Sequence, residues 1–157
     1  MTINVLFVCL GNICRSPTAH GVFQKIIDDR GLNNRISVDS AGTAGWHTGK
    51  SPDARSQRFA KKRGYDLSDL RARQAIATDF DEFDLILAMD KQNLKDLQAL
   101  CPSHFAGRLD LFLAFGGSEL SEVPDPYYEG DDGFEKVLDL VEDACQGLLD
   151  HLLSKKA

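Results

Sequence analysis

INVLFVCLGNICRSPTAHGVFQKIIDDRG, residues 3–31, is the stretch on which the fold turns. Ile3 to Val8 form a short apolar run rich in β-branched side chains, the pattern of a strand buried on both faces. From Ser16 the period changes: Ala19, Val22, Phe23, Ile26 and Ile27 share one helical face, and Gly31 is placed to end the helix. A second apolar segment, RISVDS at 35–40, follows at once. Strand, loop, helix and strand in that order make a βαβ unit, which implies a parallel sheet.

The rest of the chain repeats the alternation. Residues 52–64 have helical spacing, with Pro52 in the first turn after Ser51 and Gly64 at the end. DLILAM at 84–89 is a third strand candidate. Asp90 to Leu100 form an amphipathic helix carrying Leu94, Leu97 and Leu100, halted by Pro102. RLDLFL at 108–113 alternates as a fourth strand would. A Gly-Gly loop and an acidic stretch at 119–132 lead to a last helix, 133–154, with Phe134, Val137, Leu138, Val141, Leu148, Leu149 and Leu152 on its apolar side. There is no internal repeat. The pattern predicts one three-layer α/β domain over residues 1–157, with its ligand at the carboxyl ends of the strands.

Composition narrows the function classes. Over 157 residues, 18 Lys and Arg face 24 Asp and Glu, a net charge of −6, and 43% of residues are hydrophobic. That is an ordinary globular composition, not a disordered one. No basic stripe of the kind that binds a phosphate backbone is visible, so nucleic acid is not an expected partner. No apolar run approaches the roughly 18–20 residues of a membrane helix, and MTINVLFVCLGN lacks a basic leader region, so no membrane role and a cytoplasmic location are expected. Cys9, Cys14, Cys101 and Cys145 are too few and too scattered for a disulfide framework, and no Cys/His spacing suggests a metal site.

Chemistry concentrates between the first strand and its helix, in Cys9-Leu10-Gly11-Asn12-Ile13-Cys14-Arg15-Ser16. A loop of this length before a helix N-terminus can wrap its N–H groups around one tetrahedral anion, which the helix dipole also favours. Gly11 permits close backbone approach, Asn12 tolerates a left-handed conformation, and Arg15 supplies a planar fork for two phosphoryl oxygens. In that field Cys9 is expected as a thiolate nucleophile, with Ser16 able to hydrogen-bond it. The nucleotide-binding pattern GxxxxGK[ST] is not matched, because the segment has no Lys and no second Gly.

VCLGNICRSP at 8–17 resembles the phosphate-binding loop of the low-molecular-weight protein tyrosine phosphatases. The resemblance continues through DSAGT at 39–43, RARQ at 71–74 and DPYY at 125–128, in the same order along nearly the whole chain. It implies a four-stranded parallel sheet with helices on both faces and no cofactor. Cys9 would be the nucleophile, Arg15 the phosphate clamp and Asp125 the general acid. Expulsion of an aryloxide from phosphorus needs a proton donor, and a carboxyl on a loop over the pocket can supply it. The resemblance also places Trp46, Tyr127 and Tyr128 at the rim of a slot suited to aryl phosphates. Asn12, Ser40 and Asp90 become supports of the loop, and Cys14 a redox partner of Cys9. Phosphotyrosine proteins or small aryl phosphates would be the substrates, with a tyrosine kinase as counterpart.

One departure stands out. Many relatives carry a His just before RARQ, joined to the Asn–Ser network, and this chain has Leu70 there, so one support of the loop is expected to be missing. A thiol-dependent arsenate reductase shares the loop and is the alternative activity. That chemistry needs two further cysteines close together, and Cys101 and Cys145 are far apart in sequence. The four histidines, His20, His47, His104 and His151, are scattered; His47, beside Trp46, is within reach of a substrate but is expected as a surface residue.

Overall fold

The computed structural model describes residues 2–154. Four strands form one parallel sheet in the order β2-β1-β3-β4: β1, Ile3–Cys9; β2, Ile36–Gly42; β3, Leu85–Ala88; and β4, Arg108–Leu111. The helices are α1, Arg15–Asp29; α2, Ala54–Lys62; the single turn α3, Asp79–Glu82; α4, Lys91–Leu100; and α5, Asp131–Ser154.

Alternation along β1 builds two cores. Val5, Phe7 and Cys9 join α1, α2 and α5 on one face, while Leu6 and Val8 join Leu97 of α4 and Phe80 of α3 on the other. Phe7 meets Phe23 and Phe112 edge-on, at ring-centre distances of 5.9 and 5.0 Å, the arrangement aromatic quadrupoles prefer. Burial on both sides explains why the central strands read as unbroken apolar runs. The expected three-layer α/β/α architecture is the one observed. Among the described residues, no helix is long and apolar enough to cross a membrane.

The elements depart from the sequence pattern in several places, among them the unexpected turn α3, a β2 that runs on to Gly42 and an α2 confined to Ala54–Lys62. β1 continues one residue further than Val8, so Cys9 ends the strand in register with Gly42 of β2. RLDLFL does not stay extended: β4 stops at Leu111 and residues Phe112–Phe115 coil into a 3-10 helix. Two adjacent side chains of a strand point to opposite faces. Turning the chain sends both Phe112 and Leu113 into the same core, under α5. Finally, α5 begins at Asp131, where Asp131 and Asp132 place negative charge in the first turn and complement the helix dipole.

Candidate active site

At the top of β1 the chain has five residues, 10–14, in which to pass from strand to helix. It does so by curling around the Cys9 sulfur. Asn12 takes a left-handed conformation, φ 57°, which Asn tolerates better than most residues. That turn brings its backbone N–H to 3.2 Å from Cys9 Sγ. Ser16, in the first turn of α1, brings its hydroxyl to 3.1 Å from the same sulfur. Cys9 is 2% exposed, so its sulfur is reached only through the cleft and meets two hydrogen-bonding groups there. Cys14, at the N-cap of α1, contributes no side-chain cap, so no capping side chain occupies the first-turn N–H groups.

The back of the loop is pressed against the end of β2. Thr43 N donates to Cys9 O at 2.9 Å and Ala44 N to Leu10 O at 3.0 Å. A Cβ on Gly42 would stand 2.7 Å from Leu10 O and 3.1 Å from Asn12 N. Only glycine allows the two backbones to approach this closely. The side chain of Asn12 completes the seat: its Nδ2 donates to Ser16 Oγ at 2.8 Å, and its Oδ1 accepts from Arg73 N at 3.0 Å. Arg73 is itself fixed by ion pairs to Asp39 at 3.0 Å and Asp79 at 3.1 Å. The RARQ segment therefore serves the loop through one backbone N–H, a role no side-chain pattern announces.

Arg15 is 3% exposed, with Nη1 donating to Asp90 at 2.7 Å and to Val123 O at 3.1 Å. Burial works against its charge, but the Cys9 sulfur and the carboxylates of Asp90 and Asp125 more than offset this and hold its pKa above the usual value. Asp90 has a second job as N-cap of α4, accepting from Asn93 N at 2.7 Å. Val123 N donates to Met89 O at 2.8 Å, so the strand-end that carries Asp90 also anchors the loop that carries Asp125. Two residues past that anchor, Asp125 Oδ2 lies 3.7 Å from Arg15 Nη2.

These groups open onto a cleft of about 300 Å³ whose walls include Leu10, Ile13, Trp46, His47, Tyr127 and Tyr128. Trp46 is 71% exposed and Tyr128 94%, so both stand at the rim and neither packs in a core. His47 is drawn into the site as well, since a Cβ on Gly11 would meet its ring at 3.0 Å. Among the described residues, no three or more His, Cys, Asp or Glu side chains converge in the way a metal site requires. What the arrangement can do is hold a tetrahedral anion between a sulfur, an arginine and a carboxyl.

A sequence model of one family, described as low molecular weight phosphotyrosine protein phosphatase, matches residues 4–157. The chain belongs to that family. It is 50% identical over 155 residues to a putative low molecular weight protein-tyrosine-phosphatase of Synechocystis, covering 96% of each chain. Among solved structures it resembles a protein tyrosine phosphatase from Entamoeba histolytica crystallised with Hepes in the active site: TM-score 0.94, 40% identity, 99% of this chain and all of that one. It also resembles a Drosophila arginine phosphatase, with TM-score 0.89 and 34% identity over 97% and 99% of the two chains.

Within the family pattern, the substitution at Leu70 turns out not to orphan Ser40. His20 reaches it from α1, Nδ1 to Ser40 Oγ at 3.0 Å. His20 lies one turn after Ser16, whose hydroxyl also contacts Ala41 O at 3.3 Å. A polar residue at this helical spacing from the loop hydroxyl was the available signal. Burial lowers the pKa of His20, with Asp39 opposing, so the ring favours its neutral form. The Ser40 hydroxyl is thus held by His20 of α1, while the Asn12 side chain bonds Ser16 and Arg73. Cys101, at the end of α4, and Cys145, buried in α5, lie on opposite faces of the sheet. They offer no neighbouring pair for a disulfide relay.

Proposed function

We propose that residues 1–157 act as one metal-independent phosphatase domain that hydrolyses phosphotyrosine and small aryl phosphates through a phosphocysteine on Cys9. One observation carries this above the rest: Cys9, Arg15 and Asp125 line one cleft, with Ser16 Oγ and Asn12 N–H meeting the Cys9 sulfur from behind it. Loop amides and the Arg15 guanidinium hold the phosphoryl oxygens and stabilise the charge that develops on them. The Cys9 thiolate attacks phosphorus in line. As the P–O bond breaks, its electron pair goes to the aryl oxygen, which takes a proton from the Asp125 carboxyl. Asp125, now a carboxylate, accepts a proton from the water that attacks the phosphocysteine, and Ser16 and Asn12 N–H stabilise the departing thiolate.

The walls argue for an aryl group. Trp46, Tyr127 and Tyr128 give the mouth flat apolar faces, which suit a phenyl ring and offer little to a short alkyl stem. The natural partners are then phosphotyrosine proteins made by a tyrosine kinase, in the cytoplasm. Cys14 serves as a second sulfur that can capture an oxidised Cys9.

The test is turnover of p-nitrophenyl phosphate in EDTA by the wild type and by Cys9→Ser, with phosphotyrosine and phosphoarginine peptides alongside. Wild-type turnover of the aryl ester and the phosphotyrosine peptide, lost in Cys9→Ser, supports the reading. Retained activity in Cys9→Ser overturns the mechanism. Preference for phosphoarginine overturns the substrate class.

A further inference from the structure

The proposed acid and the phosphate loop sit on different segments, yet proton donation needs them in register to a fraction of an ångström. Asp125 itself is 46% exposed, and its backbone anchor at Val123 lies two residues away. A second connection runs through the start of α2. Asp53 N donates to Ile13 O of the phosphate loop at 2.8 Å, and the Asp53 carboxylate then grips Arg55 edge-on, taking Nε at 3.1 Å and Nη2 at 3.0 Å. This leaves the flat faces of the guanidinium for stacking. Its centre lies 5.4 Å from the Tyr127 ring and 4.7 Å from the Phe134 ring, both within cation–π range. Phe134 is fixed, 3% exposed and stacked on Phe59 at 6.0 Å. Tyr127 is coupled to the acid, because its N–H donates to Asp125 Oδ1 at 3.1 Å.

We propose that Arg55 is a positioning residue that holds Asp125 over the scissile oxygen, by stacking on Tyr127 while Asp53 ties it to the phosphate loop. This rests on Asp125 being the acid. Of the nearby charges, Arg58 adds only a loose tie, 3.7 Å from Asp131 with both side chains exposed, and such a pair contributes little. Arg55 works through shape as much as charge: a lysine keeps the charge but has neither the fork nor the face.

The consequence is selective. An aryl oxygen that leaves readily as an anion needs no proton, whereas phenolate or tyrosinate does. In Arg55→Ala, kcat/KM for phenyl phosphate and a phosphotyrosine peptide should fall about tenfold, a fraction of the roughly 10²–10⁴ that a general acid contributes, while 2,4-dinitrophenyl phosphate stays within about twofold. Arg55→Lys should behave like Arg55→Ala. In an Asp125→Ala background, adding Arg55→Ala should change nothing further. An equal loss on all three substrates, rescue by lysine, or additivity with Asp125→Ala each overturns the proposal. If Asp125→Ala alone shows no dependence on the leaving group, the acid assignment falls and this proposal with it. A selective loss in Asp125→Ala but not in Arg55→Ala refutes Arg55 alone.

Discussion

Asn12 holds the loop around the Cys9 sulfur by two separable means, and comparing Asn12→Gly with Asn12→Ala divides them. Both substitutions remove the side-chain bonds to Ser16 Oγ and Arg73 N. At about 1 kcal/mol each, these amount to about 2 kcal/mol, more if the Arg73 N–H is left without a partner. Only alanine must in addition hold a Cβ at φ 57°, at about 1–2 kcal/mol. The greater freedom of glycine in the unfolded chain takes back about 0.5–1 kcal/mol of that difference. Urea unfolding should therefore rank wild type above Asn12→Gly, and Asn12→Gly above Asn12→Ala by about 0.7 kcal/mol, the difference between the middles of those two ranges. Catalysis should follow the same order, because the turn that the conformation creates is what brings Asn12 N–H to the Cys9 sulfur. Rates of Cys9 carboxymethylation by iodoacetate, read well below the unfolding transition, report that contact directly. Alanine equal to or better than glycine on both measures would show that the left-handed turn places no demand on the loop. Glycine equal to wild type would show the same for the two side-chain bonds.

Two further outcomes follow from buried groups beside the site. His20 is held neutral in the folded protein, below its ordinary pKa of 6.5; below about pH 6.5 the unfolded chain gains a proton the folded chain refuses, so stability falls as pH drops from 7 towards 5. His20→Asn, which keeps a hydrogen-bonding group near the Nδ1 position, should flatten that part of the curve, and parallel melting-temperature profiles for the two proteins would refute it. The Cys14 thiol is pushed up to about 12, chiefly by burial, so it stays protonated while peroxide oxidises the Cys9 sulfur to sulfenic acid with release of water. Attack by Cys14 sulfur on the Cys9 sulfenic acid then releases water and forms a disulfide. Mass spectrometry after mild peroxide should find Cys9–Cys14, whereas sulfinic or sulfonic acid at Cys9 with Cys14 still free contradicts the role.

What could be read in advance was whatever the chain states locally. Unbroken apolar runs gave the central strands, since both faces of the sheet are covered. The strand–loop–helix order around Cys9 and Arg15 gave the site, because an anion seat made of backbone needs only spacing, one glycine-permissive turn and a helix start. Less legible were contacts that join segments distant in sequence. Leu70 implied a gap at Ser40, yet the partner comes from α1, twenty residues before Ser40. Arg73 supports Asn12 from 61 residues away through its main chain, and a backbone donor leaves no mark on residue type. RLDLFL alternated well enough for a strand, but the choice between extending and coiling depended on α5 packing over Phe112 and Leu113, a fact of tertiary structure alone.

The charge of −6 is equally a matter of where the groups sit. Glu129 on the loop beyond Asp125, and Asp131 and Asp132 in the first turn of α5, are exposed, where water and salt screen them over about 8–10 Å. Arg15 is almost wholly buried, at the base of the cleft, where the effective dielectric is lower and each charge acts at greater strength. Asp90, pressed against it at 2.7 Å, offsets much of that positive charge, so Arg15 is not a free cation drawing substrate from a distance. Its contribution is directional, a fork already oriented by Asp90 and Val123 O. In the proposed mechanism the attraction for a phosphoryl dianion then comes largely from the uncharged N–H groups of the loop and first helical turn. They cost no counterion and register in no charge count. On that mechanism an acidic protein binds phosphate through backbone shape, set by the left-handed turn at Asn12 and the close approach at Gly42, more than through the balance of lysine against glutamate.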